Sequence, residues 1–396
     1  MNDFDIGILV AAALAALGGW RMGFLARVFS WLGLGAGIYF AVRYLPRIVS
    51  FFDVSGSVAR VALAIAVLLV LAFIGQGVGL MVGSRLHSVL PFGGVRAFDR
   101  LVGALLGIVG VLALVWLLAP SLAAVPGSVS QLTTGSAIAR WVSNESRRVG
   151  LDPPNTLQAL RRLVGEDGFP QVFTTFGPSQ DAGRPPATDP LPAGVLSAAE
   201  ASTVKVEGQA CGRIQEGSGW AAGNNLVVTN AHVVAGEPAG ATYVLLPDGT
   251  RLPASVVLYN PDVDLALLSV PGLGETPLGL AAAFAGEKGA VLGHPNGQDA
   301  LAVQPATIAN QVTAVGEDLY GTHRTTRRVL VLAARLTYGD SGAPLVDRQG
   351  QVVGIAFAIA PDRPTTSYAL DAAGELAPLL ASAHSSVVST EACVQS

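Results

Sequence analysis

Two stretches of this sequence carry no charged residue and are too long for ordinary core elements. Residues 61–84 read VALAIAVLLVLAFIGQGVGLMVGS, and residues 101–126 read LVGALLGIVGVLALVWLLAPSLAAVP. A helix crosses the hydrocarbon of a bilayer with roughly 20 apolar residues. A segment in hydrocarbon must satisfy its backbone hydrogen bonds internally, so these two read as transmembrane helices. Composition agrees: only 13% of the 396 residues are charged, against roughly 25% in soluble domains. Two earlier apolar segments, residues 6–20 and 28–42, are shorter. They span only if Arg21, Arg27 and Arg43 extend their side chains to the interface. Residues 1–123 are therefore read as a transmembrane region of four helices; the competing reading is a re-entrant or interfacial hairpin followed by two spans. Both counts are even and put the two ends on one side.

The acidic start, MNDFD, argues against a cleaved signal peptide. Arg21 and Arg27 lie in the first loop, and Arg85, Arg96 and Arg100 in the third. After the last span no basic residue appears before Arg140. The second loop carries Arg43, Arg47 and Arg60, three basic residues against five in loops one and three; on that slight bias the positive-inside rule puts loops one and three in the cytoplasm and the C-terminal half outside. The expected location is the cell (inner) membrane, multi-pass, with an extracytoplasmic (periplasmic) C-terminal domain. The net charge of −4 gives no case for nucleic acid.

Residues 124–197 form a second region. IARWVSNESRRV and NTLQALRRLVG have helical apolar spacing, and FGPSQDAGRPPATDPLPAGVLS reads as an extended Pro/Ala/Gly-rich linker. From residue 198 to 396 the texture changes to short apolar runs between turn residues, such as NNLVVTNAHVV and PLVDRQGQVVGIAFAIA. That pattern predicts an all-β barrel or sandwich, with PDGT and DRQG as hairpin turns. The two cysteines, Cys211 and Cys393, bracket this region. Outside the membrane a bridge between them is favoured; the competing reading is two buried thiols.

Within the β region, Gly339-Asp340-Ser341-Gly342 is either a turn or the setting of a nucleophile. A serine nucleophile needs a base in reach and a third group to orient that base. Four histidines are available: His232, His294, His323 and His384. His232 follows a strand-like run that breaks at Asn230-Ala231, so it can project from a strand end into a cleft. His294 and His323 lie in loops, and His384 in the tail. Of the two carboxylates in NPDVDLALLSV, Asp262 belongs to a turn. Asp264 opens an apolar strand, where a buried carboxylate needs a partner such as an imidazole N–H; alternatively it only marks the strand start. The N–H groups of Gly339 and Ser341 are the natural donors for an oxyanion.

GSGWAAGNNLVVTNAHVV, DVDLALLSV and GDSGAPLVDRQGQVVGIAFA resemble the three catalytic blocks of trypsin-like serine proteases, especially the HtrA-like branch. The resemblance implies a chymotrypsin-like double barrel of two six-stranded barrels with the site between them. It makes His232 the general base, Asp264 its orienter, Ser341 the nucleophile, and Gly339 and Ser341 the oxyanion hole. No PDZ domain is expected to follow. The layout, a colicin V production-like membrane region before an extracytoplasmic protease, is similar to the MarP family of actinobacterial membrane-anchored proteases, which implies a link to acid resistance. In this fold the primary pocket is lined by the residues before the nucleophile and by a later strand. Here those are Arg335, Leu336, Thr337 and Tyr338, with Gly354, Ile355 and Ala356. None is acidic, so a small or apolar preference is expected, unless Arg335 selects an acidic side chain. Expected partners are protein or peptide substrates in the envelope and the lipid bilayer, with self-cleavage in the linker. No metal or cofactor is required. The alternative function is a membrane sensor or transport accessory whose protease-like domain only binds peptides.

Overall fold

The computed structural model describes residues 1–51, 57–88, 93–123, 127–149, 151, 178–188, 190–223, 225–381 and 386–394. The chain divides into two compact units, residues 1–166 and 167–396.

The first unit is helical: α1 (Asp3–Phe51), α2 (Ser57–Ser88), α3 (Gly93–Ala123), α4 (Ser128–Thr134) and α5 (Ala137–Arg148). Among the described residues, three helices are long and apolar enough to cross a membrane. The first is not one rod. Gly23 breaks α1 at φ 83°, ψ 172°, a conformation that glycine adopts without a Cβ penalty. Arg27 Nη2 donates to Ala15 O at 2.6 Å, although twelve residues of straight helix extend about 18 Å. The chain therefore folds back at Gly23, and the two short apolar segments lie in separate limbs. Asp99 Oδ1 accepts from Leu25 N at 3.2 Å at the start of the second limb. The limbs pack through glycine. A Cβ on Gly33 would lie 2.1 Å from Gly75 O, and one on Gly19 2.0 Å from Gly103 O. Such close approach is the usual way helices associate in lipid. Large apolar side chains, among them Leu14, Leu32, Phe73 and Leu105, face outward.

Asp5 is buried and accepts from Ser136 Oγ at 2.5 Å and Ile138 N at 3.0 Å. This contact seats the N-terminus beside the start of α5, so α1 begins where the segment after α3 resumes. The predicted helix in IARWVSNESRRV is α5, with Ser136 as its N-cap. NTLQALRRLVG lies outside the described residues.

The described part of the second unit begins with residues 178–188, which form neither helix nor strand. Ser179 N donates to Asp362 Oδ2 at 2.9 Å, and Arg363 Nε to Ser179 O at 3.0 Å. The end of the expected linker is not extended: α6 (Ala193–Ser202) covers its last residues, burying Ala199 and Ser202. The alanine-rich sequence favours helix once Pro192 fixes the start. Two sheets follow. The first is built from β1 (Thr203–Ala210), β2 (Arg213–Gly223), β3 (Leu226–Thr229), β4 (Thr242–Leu245), β5 (Arg251–Pro253), β6 (Ser255–Asn260) and β7 (Leu265–Ser269), with the short helix α7 (Ala231–Val234) after β3. Its order is β5-β4-β1-β2-β3-β7-β6. The second is a closed barrel of β8 (Lys288–Gly293), β9 (Ala302–Glu317), β10 (Arg324–Ala333), β11 (Pro344–Asp347), β12 (Val352–Ile359) and β13 (Thr366–Asp371), in the order β10-β13-β12-β11-β8-β9. The first sheet thus departs from the six-stranded closed barrel that the resemblance implied: it has seven strands, the outermost being the three-residue β5. Both hairpin turns form, with Gly249 and Gly350 at positive φ. Val206, Val227, Val244 and Leu268 fill the first sheet; Ile308, Leu330, Leu345 and Val353 fill the second. Between them Trp220, Leu265, Leu292 and Phe357 form a third cluster that joins the sheets.

Candidate active site

Strand β3 ends at Thr229, Asn230 takes an extended conformation, and one turn of helix carries His232. Asp264, fully buried, precedes β7 with φ 63°. That left-handed conformation is one aspartate tolerates better than most side chains. It turns the carboxylate back on His232: Oδ1 accepts from His232 N at 2.9 Å, and Oδ2 meets His232 Nδ1 at 2.8 Å. A carboxylate only accepts, so Nδ1 carries the proton and Nε2 is left with its lone pair. Asn230 Nδ2 donates to Asp264 O at 2.8 Å and braces the turn. The other carboxylate, Asp262, is half-exposed and meets His323 Nε2 at 2.9 Å. Its carbonyl accepts from Arg327 Nε at 2.6 Å. Arg327 is almost fully buried, and it ties the second barrel to the turn that carries Asp264.

Ser341 is 5% exposed. It lies in the turn between β10 and β11, and Gly342 presses that turn onto the first sheet. A Cβ on Gly342, whose φ is +84°, would lie 2.1 Å from Ser218 O and 2.6 Å from Thr229 Oγ1. The Ser341 turn therefore packs against Thr229, three residues before His232. Among the described residues no hydrogen bond joins Ser341 Oγ to His232 Nε2; such contacts commonly tighten only when substrate binds. The backbone of the turn can be accounted for peptide by peptide. Asp340 N donates to Thr337 O, Gly342 N to Ala356 O, and Ala343 N to Asp340 O. The N–H groups of Gly339 and Ser341 have no acceptor among the described residues. Two unpaired donors, one on the serine and one two residues before it, can receive a developing oxyanion.

Asp340 is buried, with Oδ2 accepting from Thr337 N at 2.8 Å. Burial pushes its pKa up to about 6, with the two Thr337 bonds opposing. His294 is buried with Nδ1 3.2 Å from Gln298 O, and burial pushes its pKa below the usual value. Its backbone carbonyl lies 2.3 Å from where a Cβ on Gly339 would sit. His384 lies outside the described residues.

Of the residues assigned to the pocket, Arg335 and Thr337 are exposed and Tyr338 is 46% exposed. Leu336 packs in the second-sheet core, and Ile355 in the cluster between the sheets. Gly354 lies beneath Leu330, where a Cβ would come within 2.8 Å. Ala356 pairs with the nucleophile turn through its backbone, N to Ala343 O at 2.9 Å. The chain therefore brings β12 alongside Ser341, but Ile355 and Leu336 serve the core. Cys211 and Cys393 form a disulfide with Cα atoms 5.9 Å apart. Gly236 N donates to Thr390 O, so the C-terminal segment is held beside the loop that follows His232. The bracing roles of Asn230 and Arg327 were missed in sequence. A polar residue at a strand end was the available signal for Asn230; Arg327, inside the polar run RTTRR, carried none.

Comparison with known proteins places both units of the chain in known families. Residues 217–355 match the trypsin-like peptidase domain family and residues 4–147 the colicin V production protein family. Serine protease Rv3671c of Mycobacterium tuberculosis (strain H37Rv) is 34% identical over 410 residues, 98% of this chain and 98% of that protein. The mitochondrial serine protease HTRA2 of Drosophila pseudoobscura pseudoobscura is 33% identical over 137 residues, 33% of this chain and 31% of its own. The crystal structure of the Rv3671c protease in its active form superposes with a TM-score of 0.50 at 38% identity, covering 55% of this chain and 98% of that one. The chain belongs to the MarP family of serine proteases, in which a colicin V production-type helical region precedes a chymotrypsin-like peptidase domain.

Proposed function

We propose that this protein is an extracytoplasmic endopeptidase anchored in the cell membrane, cutting peptide bonds with Ser341, His232 and Asp264. The observation that carries the reading is the two-point grip of Asp264 on His232, at the backbone N–H and at Nδ1. It fixes the tautomer a general base requires. His232 Nε2 takes the Ser341 proton as Oγ attacks the substrate carbonyl. The oxyanion sits against Gly339 N–H and Ser341 N–H. The tetrahedral intermediate then collapses: the C–N bond breaks and the imidazolium gives its proton to the leaving amine. Water attacks the acyl-enzyme by the same route and frees the acid.

Four helical rods crossing the bilayer, with the protease on the far side, are supported by the fold-back at Gly23, by Asp5 on α5 and by the arginines of loops one and three. Substrates are proteins of the envelope, and the Pro/Ala/Gly-rich linker before α6 is the place for self-cleavage. Work under acid stress is supported by kinship and by two buried carboxyls, Asp340 and Glu237, that stay protonated to about pH 6 and about pH 7. The test is labelling with a serine-reactive fluorophosphonate. Wild type should label and Ser341→Ala should not. A wild-type chain that stays unlabelled, or a Ser341→Ala chain that labels equally, refutes the assignment. A Ser341→Ala chain still processed in the linker excludes self-cleavage.

A further inference from the structure

The directions of the two unpaired donors, at Gly339 and Ser341, are set by what holds the peptides around them. The Gly339 N–H shares its peptide plane with Tyr338 O. In a trans peptide the two groups point in opposite directions, so whatever grips Tyr338 O aims Gly339 N–H. The grip is Asn296 N, at 2.5 Å. Asn296 belongs to the loop after β8 and sits at φ 56°. The next peptide, Gly339–Asp340, is gripped by a side chain: Ser218 Oγ donates to Gly339 O at 2.7 Å. The same oxygen accepts from His294 N at 2.9 Å, at the root of the loop that carries Asn296. Ser218 N donates to Ser341 O at 2.7 Å. One fully buried residue on β2 thus holds the carbonyls on both sides of Asp340 and anchors the loop that holds the third.

Glycine at the neighbouring positions leaves no slack. A Cβ on Gly339 would lie 2.3 Å from His294 O, and one on Gly293 3.1 Å from Ser218 Oγ and 2.6 Å from Asp340 Oδ1. The hydroxyl has one proton and uses it on Gly339 O, so its orientation is fully determined.

We infer that Ser218 is a positioning residue for the oxyanion hole, setting the direction of Gly339 N–H through the Gly339 and His294 backbones without touching substrate. The inference rests on the protease reading above. Without the hydroxyl, Gly339 O and His294 N lose their shared partner. The Gly339–Asp340 peptide is then free to rotate, and the Asn296 grip on Tyr338 O loosens with the loop. The transition state loses a donor while the nucleophile and its base stay in place.

The test uses the full chain in detergent and the second-order rate of fluorophosphonate labelling, in which the phosphoryl oxygen occupies the hole. Ser218→Ala removes the hydroxyl; Ser218→Cys keeps the volume with a much weaker hydrogen bond. Loss of a whole oxyanion donor costs about 100- to 1,000-fold, so both variants should label about 10- to 100-fold more slowly. The fraction labelled at saturation and the shape of the pH–rate profile should match wild type, because His232 and Asp264 are not disturbed. Wild-type labelling rates in both variants overturn the inference. So does a slow Ala variant beside a Cys variant at the wild-type rate, which would make the effect one of packing, and so does a lowered labelled fraction at an unchanged rate. A wild-type chain that does not label at Ser341 removes the protease reading itself, and is told apart from these outcomes by that result alone.

Discussion

Glu237 should make the C-terminal unit more stable in mild acid than at neutral pH. Its side chain is 5% exposed. Thr242 Oγ1 donates to Oε2, Oε1 has no partner, and the carboxyl lies against the backbone of Gly208. Burial pushes the pKa up from 4.5 to about 7, with the Thr242 bond opposing. The sign follows from proton counts. Below pH 4.5 the carboxyl is protonated in both the folded and the unfolded chain and does not affect their balance. Between 4.5 and 7 the folded chain keeps a proton that the unfolded chain has lost, so stability falls as pH rises. Above 7 the full cost is present, about 3 kcal/mol for a shift of this size. Glu237→Gln copies the protonated form at every pH. In a domain of this size 1 kcal/mol moves Tm by roughly 2 to 4 °C, so relative to wild type the variant should gain roughly 6 to 12 °C between pH 4.5 and pH 8. The assay is thermal unfolding of both proteins across that range. The raised carboxyl of Asp340 is common to both and cancels in the difference. A difference in Tm that stays constant from pH 4.5 to pH 8 would refute the argument, because only the titration of Glu237 separates the two proteins.

Three further outcomes follow from the same contacts. Asp264→Asn keeps the shape but turns an acceptor into a donor facing His232, so turnover of a peptide substrate should fall about 10⁴-fold with little change in Tm. Gly342→Ala forces a Cβ into Ser218 O at a positive φ, so fluorophosphonate labelling should be lost, while Gly212→Ala, also at positive φ but with open space around it, should cost stability only and leave labelling intact. Cys393→Ser opens a loop of 182 residues, which the chain-entropy model puts at about 5 kcal/mol; urea unfolding of oxidised wild type and variant measures it.

The pairing of His232 with Asp264 was legible because each sits at the end of an apolar run, and a buried carboxylate at a strand start needs a donor. The choice between Asp262 and Asp264 was legible for the same reason: the residue nearer the apolar run is the one drawn inside. The pocket was less legible. In RVLVLAARL the apolar residues run continuously, so period alone does not say that Leu336 turns into the core. Ile355 is likewise one of seven successive buried residues in β12. The break at Gly23 was hidden because glycine is frequent throughout the apolar helices, and only the Arg27–Ala15 bond distinguishes a fold-back from close packing. Charge inside the second sheet was not legible: burial alternates along β10, but residues 324–328 read RTTRR, all polar, so nothing in the sequence singles out Arg327 as the inward one. What it meets there, Asp262 O and Glu317 O, is a tertiary fact that no spacing contains.

The C-terminal segment bears on the site from two directions at once. Thr390 is bonded to Gly236 N and to Glu237 O, at the end of the helix that carries His232. Tyr320 Oη donates to Ala392 O at 3.1 Å and lies 2.8 Å from Tyr259 Oη, on the strand that leads into the Asp264 turn. The disulfide holds this segment in place, and the second barrel reaches the same turn through Arg327. His232 and Asp264, the proposed base and orienter, come from one sheet, yet residues of the other sheet and of the chain end fix their mutual geometry. A trypsin-like sheet that presented His232 and Asp264 alone would leave the αL turn at Asp264 to hold itself. Such turns persist only where their surroundings over-determine them, and here Asn230, Arg327 and the tyrosine pair do so.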